Sequence, residues 1–467
     1  MHPGRLAVSV YRAGLRRFNG WCVAALCWTF ASSVPTLAAQ VDYGVGFSLI
    51  YENNIDRTQA NQRPELTQSV MAGVLLQDNS SDVTAAVLAQ MEHRHFTRGT
   101  FNDDTTAFID GHALWTMVPR RLTWLLNETF REVQLNLTAP DTPSNRAKSN
   151  TLETGPDLTL AVDSSNSIVL SGKYGRFDVQ NSLSDTRRYV ALVRGVHSLS
   201  PEANLSLNYQ PARVYFEPGA APFPKVLRED WYGRYEALNP GGNNTAIELG
   251  TSRVTRYAGD PLEGHIVRVA VLRARTPETS VRIGYADEIS DTYSDQIRGV
   301  AATTGPQDPG VVVLQASSLA TADFYHSRRA DVSYLSRGDI QYTLTVYGRK
   351  VDFFTLDEDY DEKGATLGLN WFYSSVMRFN AYGGYLKRTY LTLSSDPTNP
   401  DSARRVDADR NFYAGADYKL SGNVTISLWG QVARRDSNAP GIGYVDRRVM
   451  LLLGFTTSRA FEIRSRR

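Results

Sequence analysis

The chain has 467 residues, of which 42% are hydrophobic and 21% charged, with a formal net charge of +1. That is too polar for a bundle of membrane helices, and no apolar run reaches the ~18 residues a helical span needs. The near-neutral balance lends no support to nucleic-acid binding.

The first element is a leader. Arg5, Arg12, Arg16 and Arg17 form a positive segment without an acid, and Trp21 to Ala31 is a short apolar stretch. Pro35 then breaks the helix, and Thr36-Leu37-Ala38-Ala39 offers small residues to a signal peptidase. This is the layout of a cleaved secretory signal over 1–39, with the cut after Ala39 or Ala38. Both cysteines, Cys22 and Cys27, lie inside it, so the mature chain is expected to hold no disulfide and no thiolate. Cys27 lacks the small residue that a lipoprotein signal places before its cysteine. Taking the four arginines from 50 basic residues leaves 46 against 49 acids, a mature balance near −3.

The mature chain opens with a strand. Tyr43, Val45, Phe47, Leu49 and Tyr51 fall on one face, and Asp42, Gly44, Gly46 and Ser48 on the other. Period two over ten residues predicts a strand greasy on one side and polar on the other, with aromatics at both ends. The pattern recurs at Val281 to Ala286, Ile340 to Tyr347, Met377 to Tyr385 and Asn411 to Tyr418. The final strand, Val445 to Thr456, is greasy on both faces. No segment of the mature chain has a convincing helical period.

Connections separate a barrel from soluble sandwiches. Short turn signals stand at 78–81, 118–121, 163–166, 200–203, 239–242, 276–279, 336–339, 373–376 and 420–423. Between them lie longer polar stretches, among them Asn53 to Glu65, Thr138 to Thr151, Glu217 to Glu229, Ser294 to Ala320 and Ser394 to Asp407. Regular alternation of short and long connections predicts an all-β fold: a single antiparallel up-and-down transmembrane β-barrel over 40–457, with about 20 strands or else 18. Closure satisfies every backbone group in lipid, where an open edge would cost several kcal/mol per unpaired group. A short basic tail, 458–467, follows. It departs from the terminal aromatic usual in barrels that the assembly machinery inserts, leaving Phe455 or Phe461 as stand-ins. The expected location is the bacterial outer membrane, with both termini periplasmic and lipid and lipopolysaccharide around the wall.

Tyr51-Glu52-Asn53-Asn54-Ile55 runs from the first strand into an acidic-amide turn. Phe130 to Arg146 reads as a strand leading into an Asn/Pro-rich loop, and Thr154-Gly155-Pro156 as the opening of the next strand. These segments resemble the β-barrel porins found near exopolysaccharide and PEP-CTERM sorting loci, over the first third of the chain. The resemblance implies an outer-membrane location and a link to surface polysaccharide, without a mechanism.

Candidate chemistry is sparse. His93-Arg94-His95 puts two imidazoles on one strand face, but a metal site needs three or four ligands, and polar rim residues are the preferred reading. Asp357-Glu358-Asp359-Tyr360-Asp361-Glu362 reads as an acidic loop tip without the glycine or distal glutamate of an EF-hand, hence as a solvated loop. Asp110 and His112 share a polar face with no serine tied to them, so lumen lining is preferred to a hydrolase. On the polar faces, Tyr347, Tyr382, Tyr413 and Trp429 are placed to stack on sugar rings, or simply to fill the interior. Arg282, Asp331, Arg349, Arg378 and Asp417 are placed to hydrogen-bond hydroxyls. The Ser294 to Ala320 loop, with Gly305-Pro306-Gln307-Asp308-Pro309-Gly310, either folds inward as a constriction or projects outward.

These features predict a non-enzymatic porin-like channel or export component for a hydrophilic solute or exopolysaccharide, with no cofactor and no metal. The alternatives are a closed structural or assembly barrel serving a polysaccharide or sorting system, and an outer-membrane hydrolase.

Overall fold

A computed structural model describes residues 39–136, 138–180, 185–216, 225–239, 241–256, 260–295, 324–354, 358–394 and 404–457. The segment read as a leader, up to Ala38, and the basic tail lie outside the described residues. The chain forms one 20-stranded sheet. Its first ten strands are β1 (Gln40–Glu52), β2 (Glu65–Asn79), β3 (Val83–Phe96), β4 (Asp104–Val118), β5 (Leu122–Gln134), β6 (Arg146–Ala161), β7 (Asn166–Val179), β8 (Thr186–Ser200), β9 (Ala203–Phe216) and β10 (Lys225–Leu238). The second ten are β11 (Asn244–Arg256), β12 (Leu262–Thr276), β13 (Thr279–Asp291), β14 (Phe324–Arg337), β15 (Ile340–Phe353), β16 (Tyr360–Phe372), β17 (Met377–Ser394), β18 (Arg404–Lys419), β19 (Val424–Ser437) and β20 (Tyr444–Thr456).

Each strand pairs antiparallel with its sequence neighbours, as in β1–β2 from Gln40↔Gln77 to Glu52↔Glu65. Closure comes from β1 and β20, paired from Gly44↔Thr456 to Glu52↔Arg448. The result is a closed up-and-down antiparallel barrel, in which no strand is left without a partner on either side. The strand count and the alternation of connections are as the turn spacing predicts. Even-to-odd connections run from two to five residues and odd-to-even ones from five to 32, with β10–β11 and β11–β12 equal at five.

Local chemistry makes the short turns. The Asp163 carboxylate accepts the backbone N–H groups of Ser165 (2.7 Å) and Asn166 (2.9 Å). Asp78 does the same for Ser80 at 2.9 Å. Such side-chain acceptors replace the missing ladder partner and reverse the chain in a few residues.

The alternation decides what faces out. Along β1, Tyr43 is 55% exposed and Val45 53%, while Asp42 is 5% and Ser48 0%. The outer wall therefore carries a continuous belt of exposed aliphatic side chains, far larger than a water-soluble monomer leaves bare. Exposed aromatics flank it at both levels. Tyr51 and Tyr189 lie toward the long loops, Trp231, Tyr285 and Tyr385 at mid-strand, and Trp115, Trp124, Trp371, Tyr418 and Phe455 toward the short turns. Lipid is the solvent that such a wall requires.

Four expectations need correction. The stretch read as a loop from Glu217 to Glu229 is strand from Lys225, because Val226, Arg228 and Asp230 pack inward against β9 and β11. The loop read as Thr138 to Thr151 is the interval between Gln134 and Arg146, with one 3-10 turn at Pro143–Asn145. Thr154-Gly155-Pro156 lies mid-strand in β6, not at its opening: Gly155 pairs across with Leu125 and has φ 154°. A helical turn, absent from the periodicity, covers residues 292–295.

The two-faced greasiness of β20 has a simple cause. Outward Val449, Leu451 and Leu453 join the lipid belt, while inward Leu452 packs on Met71, with Leu75 and Leu88 beside them.

Candidate functional site in the lumen

Inward side chains sort by height. In the half near the long loops they are charged, aromatic and buried. Arg388 reaches Glu362 at 2.6 Å, Arg405 reaches Asp407 at 2.6 Å, and Arg448 reaches Glu52 at 2.8 Å. Arg268 joins Glu248 and Glu288, each at 2.6 Å. Tyrosine rings fill the gaps: Arg388 lies 5.1 Å from the Tyr360 ring and Arg405 4.8 Å from Tyr390. Buried charge persists only when paired and hydrogen-bonded, and these guanidinium–carboxylate forks meet that condition.

Among the described residues, two segments reach across the mouth. The first is the loop between β5 and β6. Arg405 on β18 donates to the Thr138 carbonyl at 2.5 Å, and Arg57 donates to the Asp141 carbonyl at 2.7 Å. Arg146 grips the Asp141 carboxylate at 2.7 and 2.9 Å. Burial pushes that carboxyl up, but the Arg146 hydrogen bonds and the nearby Arg57 charge outweigh it and hold the pKa at about 2.

The second segment is the helical turn after β13. Asp291 accepts from Arg188 on β8 at 2.7 Å and lies 3.7 Å from Arg228 on β10. It also caps the turn through the Ser294 N–H (3.1 Å) and hydroxyl (2.8 Å). Tyr293 stacks on the Arg188 guanidinium at 3.9 Å and donates to Glu153 on β6 at 3.2 Å. Asp295 accepts from Arg349 on β15 at 2.8 Å and from the Tyr325 hydroxyl at 2.7 Å. The start of the longest loop therefore folds inward and ties β13 to β6, β8, β10 and β15. The Gly305 to Gly310 stretch lies outside the described residues.

Nearer the short turns the interior opens. A cavity of about 740 Å³ is lined by Arg378, Tyr413, Asp417, Trp429, Gln431 and Arg448, among others. Tyr382 and Tyr413 stack at 5.1 Å with an interplanar angle of 19°, and Tyr413 meets Trp429 at 5.4 Å. Register explains how rings fit against the wall. Trp429 faces Gly415 and Tyr347 faces Gly364 across the ladder. A Cβ on Gly415 would stand 2.6 Å from the Trp429 ring, and one on Gly364 2.5 Å from that of Tyr347. Each ring thus lies over a glycine.

The predicted lumen residues therefore divide. Arg378, Tyr413, Asp417 and Trp429 come together in the open cavity, with Tyr382 stacked on Tyr413. Arg378 and Asp417 are not separate hydroxyl partners but one pair, at 2.7 Å, with Asn380 donating to the same oxygen at 2.7 Å. Arg349 is withdrawn into the Asp295 contact. Arg282 is exposed and Asp331 half-buried, the latter against Gly284.

Other candidates resolve simply. His93 and His95 sit exposed at the rim, bonded to Thr105 and Asp103 at 2.9 and 2.8 Å. His112 pairs with Asn127 at 2.6 Å. The acidic run is no loop tip beyond Asp359: Tyr360 and Glu362 belong to β16 and point inward, and Asp357 lies outside the described residues.

The buried Arg–acid network was missed by sequence reasoning. Its signal is an arginine two residues from an acid, which puts both on one strand face, as in Arg228–Asp230, Arg405–Asp407 and Asp446–Arg448.

No family model matches the chain, and no curated protein matches it. Among solved structures it is similar to the siderophore receptor PirA from Pseudomonas aeruginosa, at 12% identity, covering 91% of this chain and 81% of that one, with a TM-score of 0.43. It is also similar to Pseudomonas aeruginosa OpdQ, at 8% identity, 90% and 100% coverage and a TM-score of 0.42. Pseudomonas aeruginosa OccK7 (OpdD) follows at 10% identity, 90% and 98% coverage and a TM-score of 0.38. All three likenesses fall below a TM-score of 0.5, so the fold rests on the closed register of the strands themselves.

Proposed function

We propose that this barrel sits in an outer membrane, among lipid and lipopolysaccharide, and passes a hydrophilic solute through a bore restricted at its long-loop mouth. The solute class is carbohydrate, an oligosaccharide or an extending polysaccharide chain. The observation that carries this reading is the cavity where Tyr413 and Trp429 adjoin the Arg378–Asp417 pair. A sugar ring needs an apolar face to stack on and polar groups at its edge, and both stand there within one wall. Rings that lie over glycines waste no bore and keep one face toward the solute.

The short-turn end and both termini face the periplasm in this reading, since outer-membrane barrels keep their short turns on that side and their longer loops outside. Solute leaving the cell meets the aromatic cavity before the charged mouth. A link to exopolysaccharide belongs to the same proposal, and no catalytic step is assigned.

The test is reconstitution of the mature chain in a planar bilayer. The expected result is discrete conductance steps that oligosaccharide added on the short-turn side blocks. In Tyr413→Ala/Trp429→Ala the steps remain and the block weakens at least tenfold. Absence of any step would favour the closed structural barrel. Steps blocked equally in parent and variant would remove the carbohydrate reading.

A further inference from the structure

At two places on the wall neighbouring strands part before both end: β4 from β5 above Ile109↔Phe130, and β12 from β13. The β12–β13 ladder stops at Val267↔Asp287, although β12 begins at Leu262 and β13 runs to Asp291. Above that pair β12 continues only with β11, up to Leu262↔Val254, and β13 only with β14, up to Asp291↔Phe324.

At the foot of this seam three side chains converge from three strands. They are His265 of β12, Asp287 of β13 and His326 of β14. Asp287 has the outward parity of Ile283 and Tyr285, so the cluster lies on the outer face of the wall, in the half toward the long loops. His265 Nε2 is 3.0 Å from Asp287 Oδ2, and His326 Nε2 is 2.6 Å from Oδ1. The three ligand atoms all lie within 4.8 Å of one another. Asp287 Oδ2 also receives Arg328 Nε at 3.1 Å and the Tyr285 hydroxyl at 3.4 Å.

We propose that His265, Asp287 and His326 form a binding site for a divalent transition metal of the zinc class, and that the bound ion staples the seam. Two imidazoles turn the same nitrogen, Nε2, toward one buried carboxylate. Zinc takes imidazole nitrogen and carboxylate oxygen at about 2.0–2.2 Å, with tetrahedral partners therefore about 3.4 Å apart. The two contacts to Asp287, at 3.0 and 2.6 Å, need to open by about 0.4 and 0.8 Å. The two imidazole nitrogens, within 4.8 Å of each other, need to settle at about the same 3.4 Å, which the His265 side chain, 54% exposed, is free to allow by turning. A mixed nitrogen and oxygen set selects zinc, nickel or copper over calcium and magnesium, which take oxygen alone. The exposed side leaves the fourth position to water. Arg328, 52% exposed, keeps the outer edge of the carboxylate or swings into solvent.

The seam gives the ion something to do. Asp287 stands four residues before Asp291, where the inward segment starts. An ion bridging β12, β13 and β14 replaces the backbone pairs the seam lacks and holds that strand end in place. This inference does not depend on what the lumen carries.

The experiment uses the mature, tag-free chain in detergent, stripped with a chelator and titrated with zinc. The parent is expected to bind one equivalent tightly enough to survive desalting, and cobalt in its place should give the visible bands of a tetrahedral site. His265→Ala alone weakens zinc at least tenfold, and H265A/H326A abolishes it. H93A/H95A, which removes the other exposed imidazole pair, retains it. Heat-modified gel mobility confirms closed barrels, and His265→Ala, altering an exposed ring, keeps the test valid if the double variant fails to close. Zinc should raise the unfolding temperature of the parent and not of H265A/H326A. No bound zinc in the folded parent, or the parent's stoichiometry and affinity retained in His265→Ala and H265A/H326A, overturns the site. Binding without a rise in unfolding temperature overturns the staple.

Discussion

Asp291→Ala should loosen the mouth without opening the barrel. The carboxylate holds Arg188 at 2.7 Å, stands 3.7 Å from Arg228 and caps the 292–295 turn through Ser294. Its partner Arg188 is 5% exposed, and Asp291 itself 6%. Removing one member of a buried pair costs about 3–5 kcal/mol, chiefly because the other charge stays desolvated. Some of that is recovered here. Arg228 keeps Asp230 at 3.0 Å, and Arg188 keeps the Tyr293 face and the Ser294 hydroxyl. About 3 kcal/mol is a fair net figure, which is on the order of a hundredfold in an equilibrium. The loss falls on the inward segment, because the Asp291↔Phe324 backbone pairing does not involve the carboxylate. Single-channel recording reads it directly. Asp291→Ala should raise the ratio of open to closed time by one to two orders of magnitude. Asp291→Asn keeps an acceptor for Ser294 and should fall between. A cycle with Arg188→Ala should show non-additivity, since both changes remove one interaction. A folded Asp291→Ala barrel with the parent's current trace, or strictly additive effects, would refute the role given to this segment.

Three further outcomes follow from the same geometry. Leu451 is 45% exposed on the outer wall between Leu49 and Leu428, so Leu451→Arg should cost about 2–4 kcal/mol in lipid vesicles; an unchanged urea midpoint would mean that lipid does not solvate this wall. Asp141, held at about 2 against an ordinary 3.8, lends stability that is complete above pH ~4 and lost as the pH falls toward 2. Its side chain is 37% exposed, so solvent screening limits the effect to about 1 kcal/mol. Relative to an unstructured peptide digested alongside, pepsin should therefore cut within 135–145 about fivefold faster near pH 2 than near pH 4, whereas Asp141→Asn should show no such difference; an equal normalised rate at both pH values in the parent would contradict the tether. Gly155→Ala should lower the unfolding temperature by the equivalent of about 1–3 kcal/mol, because φ is 154° and the new Cβ would stand 1.9 Å from the Gly172 carbonyl; a neutral result in gel-shift melting would count against the close β6–β7 approach.

The fold was legible because a strand's side-chain period is two and a turn's chemistry is local. Tyr43, Val45 and Phe47 against Asp42, Gly44 and Ser48 settle which face meets lipid, whatever the neighbours are. Asp163-Ser164-Ser165-Asn166 turns the chain by bonds within four residues. Boundaries slipped where polarity misled. Lys225 to Asp230 looks like loop because its inward side carries Arg228 and Asp230, which are buried only after β9 and β11 flank them. Gly155-Pro156 looks like a strand opening because both residues weaken a ladder, yet β5 still pairs through them.

Alternation assigned Tyr347, Tyr382, Tyr413, Trp429, Arg378 and Asp417 to the inner face, but a face is not a place. Arg405 with Thr138, Tyr293 with Glu153, and the convergence of His265, Asp287 and His326 join residues far apart in sequence. Such meetings depend on how far around the cylinder each strand stands and on which segments bend across its mouth. Period two records inside or outside for each residue and carries no angle about the barrel axis. Closure of β1 on β20 supplies that angle. With it, an arginine read as a sugar contact becomes the anchor of an inward turn, as Arg349 does for Asp295.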